Sequence, residues 1–503
     1  MVLGAAAGIE SYALIRLREL PLSYCVRSLL PNWEVPQMLA TQSDAAIRHD
    51  LIERLADARQ RTDDLFALVK PDSLYERPIA ERHRIIFYIG HLEAFDSNLF
   101  HERVLGRKSF DPEFDRLFAF GIDPVSGGLP ADQPSDWPAI TAVREYVRNI
   151  RAVLDEKLAP ALLDSGSPAG DRFLLGTLLN VAIEHRLMHA ETLAYMLHQM
   201  PLHRKVLQPK TRTVLTPPVV HRSIEIPASA VTLGLPRGSD RFGWDNEFEA
   251  RTVNVPAFAI DQFKVTNQQY LEFIAAGGYE TRAFWSDDDW DWKSRQEISH
   301  PAFWKHEGKR WLYRTMFDDV PLPLAWPVYV SQAEAKAYAC WAGKSLPTEA
   351  EWQCAAYATP HGDERAYPWG GSGEAWGGEA WGGEAVGGEV WRADAPEGTF
   401  GNFDFARWNP VPVNAFPEGR SAFGVCGLLG NGWEWTSTEF APFPGFEPFP
   451  FYRGYSADFF DGKHFVMKGG SARTAACMLR RTFRNWFQAH YQFIYTGFRC
   501  VSR

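Results

Sequence analysis

Residues 201 to 222, PLHRKVLQPKTRTVLTPPVVHR, divide the chain into two parts that cannot share one folding pattern. The stretch is proline-rich and basic and lacks an amphipathic period, which is the composition of a linker. Before it, apolar residues recur at helical spacing. After it, Gly, Trp and Pro are scattered through short segments, as in an irregular α+β domain. The expected organisation is an N-terminal extension (1–41), a helical domain (42–205), a linker (206–223) and a second domain (224–503). At 503 residues the chain is too long for one ordinary core, so two domains fit its length.

In RHDLIERLADARQRTDDLFALV (48–69), Leu51, Leu55, Ala58, Thr62, Leu65 and Val69 fall on one helical stripe. Three more helices are predicted around 80–104, 139–158 and 171–199, separated by loops such as DPVSGGLPADQPSDWP. Four long helices joined this way suggest a bundle. In the second domain, clear helical patterns occur only near 267–278 and 331–344. The pentapeptide repeat GEAWGGEAWGGEAVGGEVW (373–391) is too glycine-rich to offset its ordering entropy by burial, and is expected to be a surface insertion.

A formal net charge of −10 gives no electrostatic reason to expect a nucleic acid or an anionic membrane, which leaves small molecules as the expected partners. The 19 Trp residues, most of them after residue 240, suit both a core and an aromatic-lined pocket. The six cysteines never form C-x-x-C, so neither a zinc knuckle nor a disulfide scaffold is suggested. The apolar stretch Met1 to Ile9 is interrupted by Glu10 and has no basic residue before it. It does not look like a signal peptide, and no apolar run reaches the roughly 18 residues of a membrane span. Reduced thiols in a cytoplasmic, soluble protein are expected.

One constellation carries chemistry. In IEHRLMHAETLAYML, His185 and His189 lie one helical turn apart, so both imidazoles leave the same face and can reach one ion. Such a pair also occurs on solvated helix faces, but this helix is largely apolar. FYIGHLEAFD places His91 among apolar residues that point it into the bundle interior, as a third ligand. His83 and His101 are alternative third ligands in weaker surroundings. Glu184 and Glu191 are close enough in sequence to orient a ligand through its second nitrogen, or to supply the carboxylate of a 2-His-1-carboxylate site.

The segments KVTNQQYLEFIAAGGY, AGKSLPTEAEWQCAAY, GLLGNGWEWTSTEF, VMKGGSARTA and TGFRCV occur in that order. Together they resemble the formylglycine-generating-enzyme fold, a variant of the C-type lectin-like fold, over about residues 224–503. GHLEAFD and HRLMHAE resemble the DinB-type helical bundle. The pairing is similar to that of the ergothioneine-type sulfoxide synthases, which use Fe(II) and O2 to join a sulfur donor to C2 of a histidine-derived imidazole. The resemblance maps the three iron ligands onto His91, His185 and His189. Formylglycine formation itself is not implied, because Cys477 and Cys500 are far apart and the fold does not dictate the chemistry.

Within FYRGYSADFFDGKHF, the resemblance implies that Tyr452, and next Tyr455, supplies the active-site phenol that hands over a proton or hydrogen. Within RRTFRNWFQAHY it offers Asn485 to the carboxylate of trimethylhistidine (hercynine) and Trp486 to its trimethylammonium group, which suits cation–π attraction. Phe487 stands where the family commonly has an acidic residue, and Met188 where it commonly has Gln, so the substrate contacts are altered. Length and the RNWFQAHY ending most resemble the selenoneine synthase branch, which takes a selenosugar. The ergothioneine branch, which takes cysteine or glutamyl-cysteine, is the alternative. The ovothiol branch usually carries a further methyltransferase domain, for which no glycine-rich motif follows here. Two other classes remain: a non-catalytic sugar- or peptide-binding module, and a zinc-dependent thiol-transferase-like bundle.

Overall fold

The computed structural model describes residues 42–100, 111–121, 129–163, 169–206, 208, 219–239, 241–372 and 398–503. The extension 1–41, His101, Cys25, most of the linker and the repeat at 373–391 lie outside the described residues. The chain separates into two compact units. One comprises Met1–Leu207 together with Glu447–Asp458, and the other Gln208–Phe446 with Phe459–Arg503. The segment 447–458, which lies within the range read from sequence as the second domain, therefore groups with the helices.

The first unit is built from α1 (Gln42–Ala67), α2 (Ile85–Phe100), α3 (Pro112–Phe120), α4 (Ile140–Leu163) and α5 (Ala169–Gln199). Helices α1, α2, α4 and α5 are the four expected ones, although α2 starts at Ile85 rather than near residue 80. The α1 stripe is buried as its spacing predicts: Leu51, Leu55, Ala58, Thr62 and Leu65 all face inward, and Val69, two residues past the helix end, is buried as well. Helix α2 packs against α3, α4 and α5 and is buried on nearly every side, which makes it the central helix of the unit. The short α3 was not expected. It starts at Asp111, whose side chain accepts from the Phe114 N–H, with Pro112 in the first turn where a missing N–H costs nothing. It ends at Gly121, which has a φ of 70°.

The central helix carries charge inside the core, and that charge is balanced by partners from the other helices. Arg186 on α5 donates to Glu93 and Asp96 on α2 at 3.0 and 2.7 Å. Arg151 on α4 bridges Glu93 and Asp63 of α1 at 2.8 and 2.6 Å. One polar layer thus ties all four long helices together.

The second unit begins with β1 (Ser223–Ile226), β2 (Ser229–Leu233), β3 (Arg251–Val255) and β4 (Phe258–Asp261). Helices α6 (Asn267–Ala275) and α7 (Asp287–Arg295) follow, then the meander β5 (Trp304–Glu307), β6 (Arg310–Arg314) and β7 (Asp319–Pro321). Next come α8 (Gln332–Trp341), α9 (Glu349–Tyr357), β8 (Arg365–Tyr367) and β9 (Gly370–Ser372). The last strands are β10 (Trp433–Glu439), β11 (His464–Lys468), β12 (Asn485–Gln488), β13 (Thr496–Gly497) and β14 (Val501–Ser502). The largest sheet has the order β12-β11-β10-β13, with β13 parallel to β10 and the other pairs antiparallel. A second sheet orders β1-β4-β14, and its inward residues Ile226 and Ile260 join Trp352, Leu428 and Val501 in one core cluster.

The sequence segments that carried the family resemblance build this frame. Thr266 and Thr348 cap α6 and α9 in reciprocal capping boxes with Gln269 and Glu351. Glu434 is fully buried between Arg499, which donates at 2.9 Å, and Lys264 at 3.3 Å. These motifs therefore specify packing and paired buried charge. They do not by themselves assign a reaction.

Candidate metal centre

His91 lies on α2, and His185 and His189 on α5. All three are buried, and one ring nitrogen from each comes within 4.8 Å of the others. The Nε2 atoms of His185 and His189 are 3.1 Å apart. Two imidazole nitrogens bound to one ion at about 2.1 Å, at roughly a right angle, stand about 3 Å apart, so this spacing suits a shared metal.

The protonation pattern fits as well. The Nδ1–H of His91 donates to the Phe118 carbonyl at 2.7 Å, which directs the Nε2 lone pair elsewhere. That Nε2 is buried and has no hydrogen-bond partner. Burial pushes His91 down to about 4, and burial together with the neighbouring imidazoles holds His185 and His189 well below the ordinary histidine value. Neutral imidazoles with inward lone pairs are the form a metal requires.

Among the described residues, the group able to hold an ion consists of these three histidines, with no carboxylate in it. His83 is buried nearby, its ring 4.1 Å from that of Phe87 and tilted 35° to it, but does not belong to the group. His101 lies outside the described residues. Glu184 and Glu191 are both buried on α5, yet neither hydrogen-bonds to His91 or His185. The group holding the second nitrogen of His91 is a main-chain carbonyl, that of Phe118. Such an acceptor has no side-chain signature, and the helix that supplies it sits in a loop-like stretch of sequence.

His185 is positioned differently. Its Nδ1 has no hydrogen-bond partner, and its ring lies flat against Phe95, with centroids 3.5 Å apart and planes 12° apart. Tyr452 approaches the same face of the unit, with its ring 5.3 Å from Phe95 and 6.3 Å from His185. Tyr455 is 5.4 Å from Tyr452, ring to ring, and its hydroxyl donates to the Met188 sulfur at 3.5 Å. The segment 447–458 thus places Tyr452 beside His185 and Tyr455 against Met188, the residue before His189 on α5. Phe95, Arg186, Glu93 and Asp96 were not anticipated as supports of the site, although charged residues inside two apolar helices were a usable signal.

Asn485, Trp486 and Phe487 lie on β12 of the second unit, all half-buried. The Asn485 Oδ1 accepts from the Trp486 N–H at 2.9 Å, which leaves the amide Nδ2 as its donor half. The Trp486 ring stacks on Phe440 at 4.1 Å and 5°, with Phe459 at 5.7 Å. Phe487 stacks on Tyr491 at 5.2 Å. Cys500 is buried, and burial pushes its thiol well above the ordinary range, which suits packing and opposes thiolate chemistry.

Comparison with known proteins agrees with this two-part plan. Residues 213–503 match the sulfatase-modifying factor enzyme 1-like domain, and residues 54–193 match the DinB superfamily. A hercynine oxygenase of Mycolicibacterium thermoresistibile is 34% identical over 401 residues, covering 77% of this chain and 80% of that protein. A hercynine oxygenase of Mycobacterium tuberculosis is 37% identical over 270 residues, covering 53% and 57%. Ergothioneine biosynthesis protein 1 of Neurospora crassa is 28% identical over 498 residues, covering 86% of this chain and 55% of that longer protein. With a DinB-superfamily region, a sulfatase-modifying factor domain and a relative 34% identical over four-fifths of its own length, the chain belongs to the ergothioneine-type sulfoxide synthase family.

Proposed function

We propose that this oxidative enzyme is an iron(II)-dependent synthase that uses dioxygen to join the selenium of a selenosugar to the imidazole C2 of hercynine, a selenoneine synthase. The observation that carries the proposal is the buried cluster of His91, His185 and His189 with Tyr452 beside it. The three imidazoles would hold Fe(II), which when bound supplies the one-electron chemistry that dioxygen needs. In the coupling, the C2–H and Se–H bonds break and a C2–Se bond forms. The two released hydrogens leave with one oxygen atom of dioxygen as water, and the other oxygen atom is carried by selenium as its oxide, which accounts for the four electrons that dioxygen takes up.

Tyr452 is the better candidate to hold or move the proton, because its ring lies beside His185. Asn485 and Trp486 are assigned to the hercynine carboxylate and trimethylammonium groups, for which the Nδ2 donor and the indole are chemically suited. The donor assignment draws on the groups packed on His185, Phe95 and Tyr452, which are uncharged and aromatic. Such a wall suits a sugar better than an amino-acid head group. Cys340, Cys354, Cys426 and Cys500 form no disulfide, consistent with a reducing, cytoplasmic setting, and no described helix is long and apolar enough to cross a membrane.

The names of the relatives mention ergothioneine biosynthesis, which supports a second reading, an ergothioneine-forming enzyme that takes cysteine or glutamyl-cysteine as donor. One experiment separates the two. Anaerobically iron-loaded protein is given hercynine and oxygen with selenoglucose, thioglucose, cysteine and glutamyl-cysteine in competition, and the products are read by mass. A dominant selenium adduct supports the proposal, and a dominant cysteine or glutamyl-cysteine adduct replaces it. No adduct with any donor, and no stoichiometric iron, would favour a binding module. Selective zinc retention would favour the thiol-transferase-like alternative.

A further inference from the structure

The residue before His91 has no side chain, and the space where one would stand is occupied. A Cβ on Gly90 would meet the Phe118 ring at 2.4 Å from Cγ and Cδ1 and 2.5 Å from Cδ2, closer than real Cβ atoms approach anything. Phe118 is wholly buried, with its ring within 5.6 Å of Tyr146 and 6.4 Å of Trp137. The main-chain carbonyl of this same Phe118 accepts the His91 Nδ1–H at 2.7 Å. Helix α3 can therefore lie against α2 only because residue 90 is glycine, and that close approach brings the carbonyl to His91.

We propose that Gly90 is a positioning residue of the metal centre: by admitting the Phe118 ring against α2, it brings the Phe118 carbonyl to His91 Nδ1 and so presents Nε2 to His185 and His189. The contact a Cβ would make is with the root of the ring, Cγ, as much as with its sides. Rotating the ring cannot clear it, so the α3 main chain must retreat and take the carbonyl with it. His91 would then lose the bond that fixes its tautomer and ring direction. Losing a hydrogen bond of this kind behind a metal-bound histidine lowers metal affinity by about 10- to 100-fold.

The inference rests on the three histidines being a metal site, and the test separates the two ideas. Metal-free full-length protein is titrated anaerobically with Fe(II), and in parallel with Co(II), whose visible spectrum reports the ligand set. Wild-type protein binding one ion per chain tests the site itself. Gly90→Ala is expected to bind about 10- to 100-fold more weakly, with an altered Co(II) spectrum, at a temperature where it remains folded. The double variant Gly90→Ala/Phe118→Ala removes every ring atom that the new Cβ would meet but keeps the carbonyl, and is expected to return to within about threefold of wild type. Where Gly90→Ala alone does not fold, the double variant decides. Unchanged affinity in Gly90→Ala, or a folded double variant that still binds weakly, overturns the proposal while leaving the metal site standing.

Discussion

Arg186 and Glu93 form an ion pair 3.0 Å long in which the two side chains are 0% and 1% exposed. Arg186 follows His185 directly and Glu93 is two residues from His91, so the pair fixes the helical register that brings the histidines together. Arg186 also serves Asp96, at 2.7 Å. Removing the guanidinium leaves two carboxylates in the core short of their shared cation. Arg186→Met is therefore expected to cost about 3–5 kcal/mol of stability, measured by denaturant unfolding of the metal-free protein. A cost below about 1 kcal/mol would mean that the layer does not hold the helices.

His185→Ala should separate binding from folding. It removes one of three neutral nitrogens from a buried cluster, and the ring stacked on Phe95 with it. Iron affinity is expected to fall by more than the roughly 10- to 100-fold caused by losing a supporting hydrogen bond. Coupling activity should fall with it, while the far-UV spectrum of the metal-free protein stays helical. Metal analysis after desalting checks this, and a variant keeping full iron and full turnover would remove His185 from the site.

The parts of this architecture that were legible in the sequence are those with a period or a fixed spacing. The α1 stripe is readable because Leu51, Leu55, Ala58 and Leu65 repeat at the helical pitch, and His185 and His189 because they are one turn apart. Helix α3 was hidden in a stretch rich in Pro, Asp and Gly, although Asp111 followed by Pro112 is a helix start. Helices α7 and α9 lack a strong apolar period, yet Ser286 with Asp289 and Thr348 with Glu351 announce their N-termini. What sequence could not carry is the main-chain acceptor at Phe118. It also could not show that 447–458 belongs with the helices, since that contact spans more than 250 residues.

The two tyrosines should differ in effect. Tyr452 is the nearer ring to His185, whereas the Tyr455 hydroxyl is spent on Met188. If Tyr452 moves the proton, Tyr452→Phe is expected to lower turnover by about 10²- to 10⁴-fold with iron affinity unchanged. Tyr455→Phe should cost less than tenfold. Single-turnover kinetics on iron-loaded protein distinguishes them, and the reverse ranking would transfer the role to Tyr455.

Lys264 provides a pH test in the second unit, away from any metal ligand. Its ammonium is wholly buried beside Glu434, and burial, with Arg499 adding to it, depresses it from 10.5 to about 8 despite that carboxylate. A lysine depressed in the fold is less protonated there than in the unfolded chain between those two values, so unfolding takes up a proton and stability rises with pH across that window. The cost is present in full below pH 8 and is relieved progressively towards pH 10.5, by about 3 kcal/mol for a shift of this size. In Lys264→Met the titrating group is gone while Arg499 still holds Glu434 at 2.9 Å. Wild type should therefore gain stability relative to Lys264→Met by about 3 kcal/mol from pH 8 to 10.5, and parallel curves over that range would show that Lys264 titrates normally in the fold.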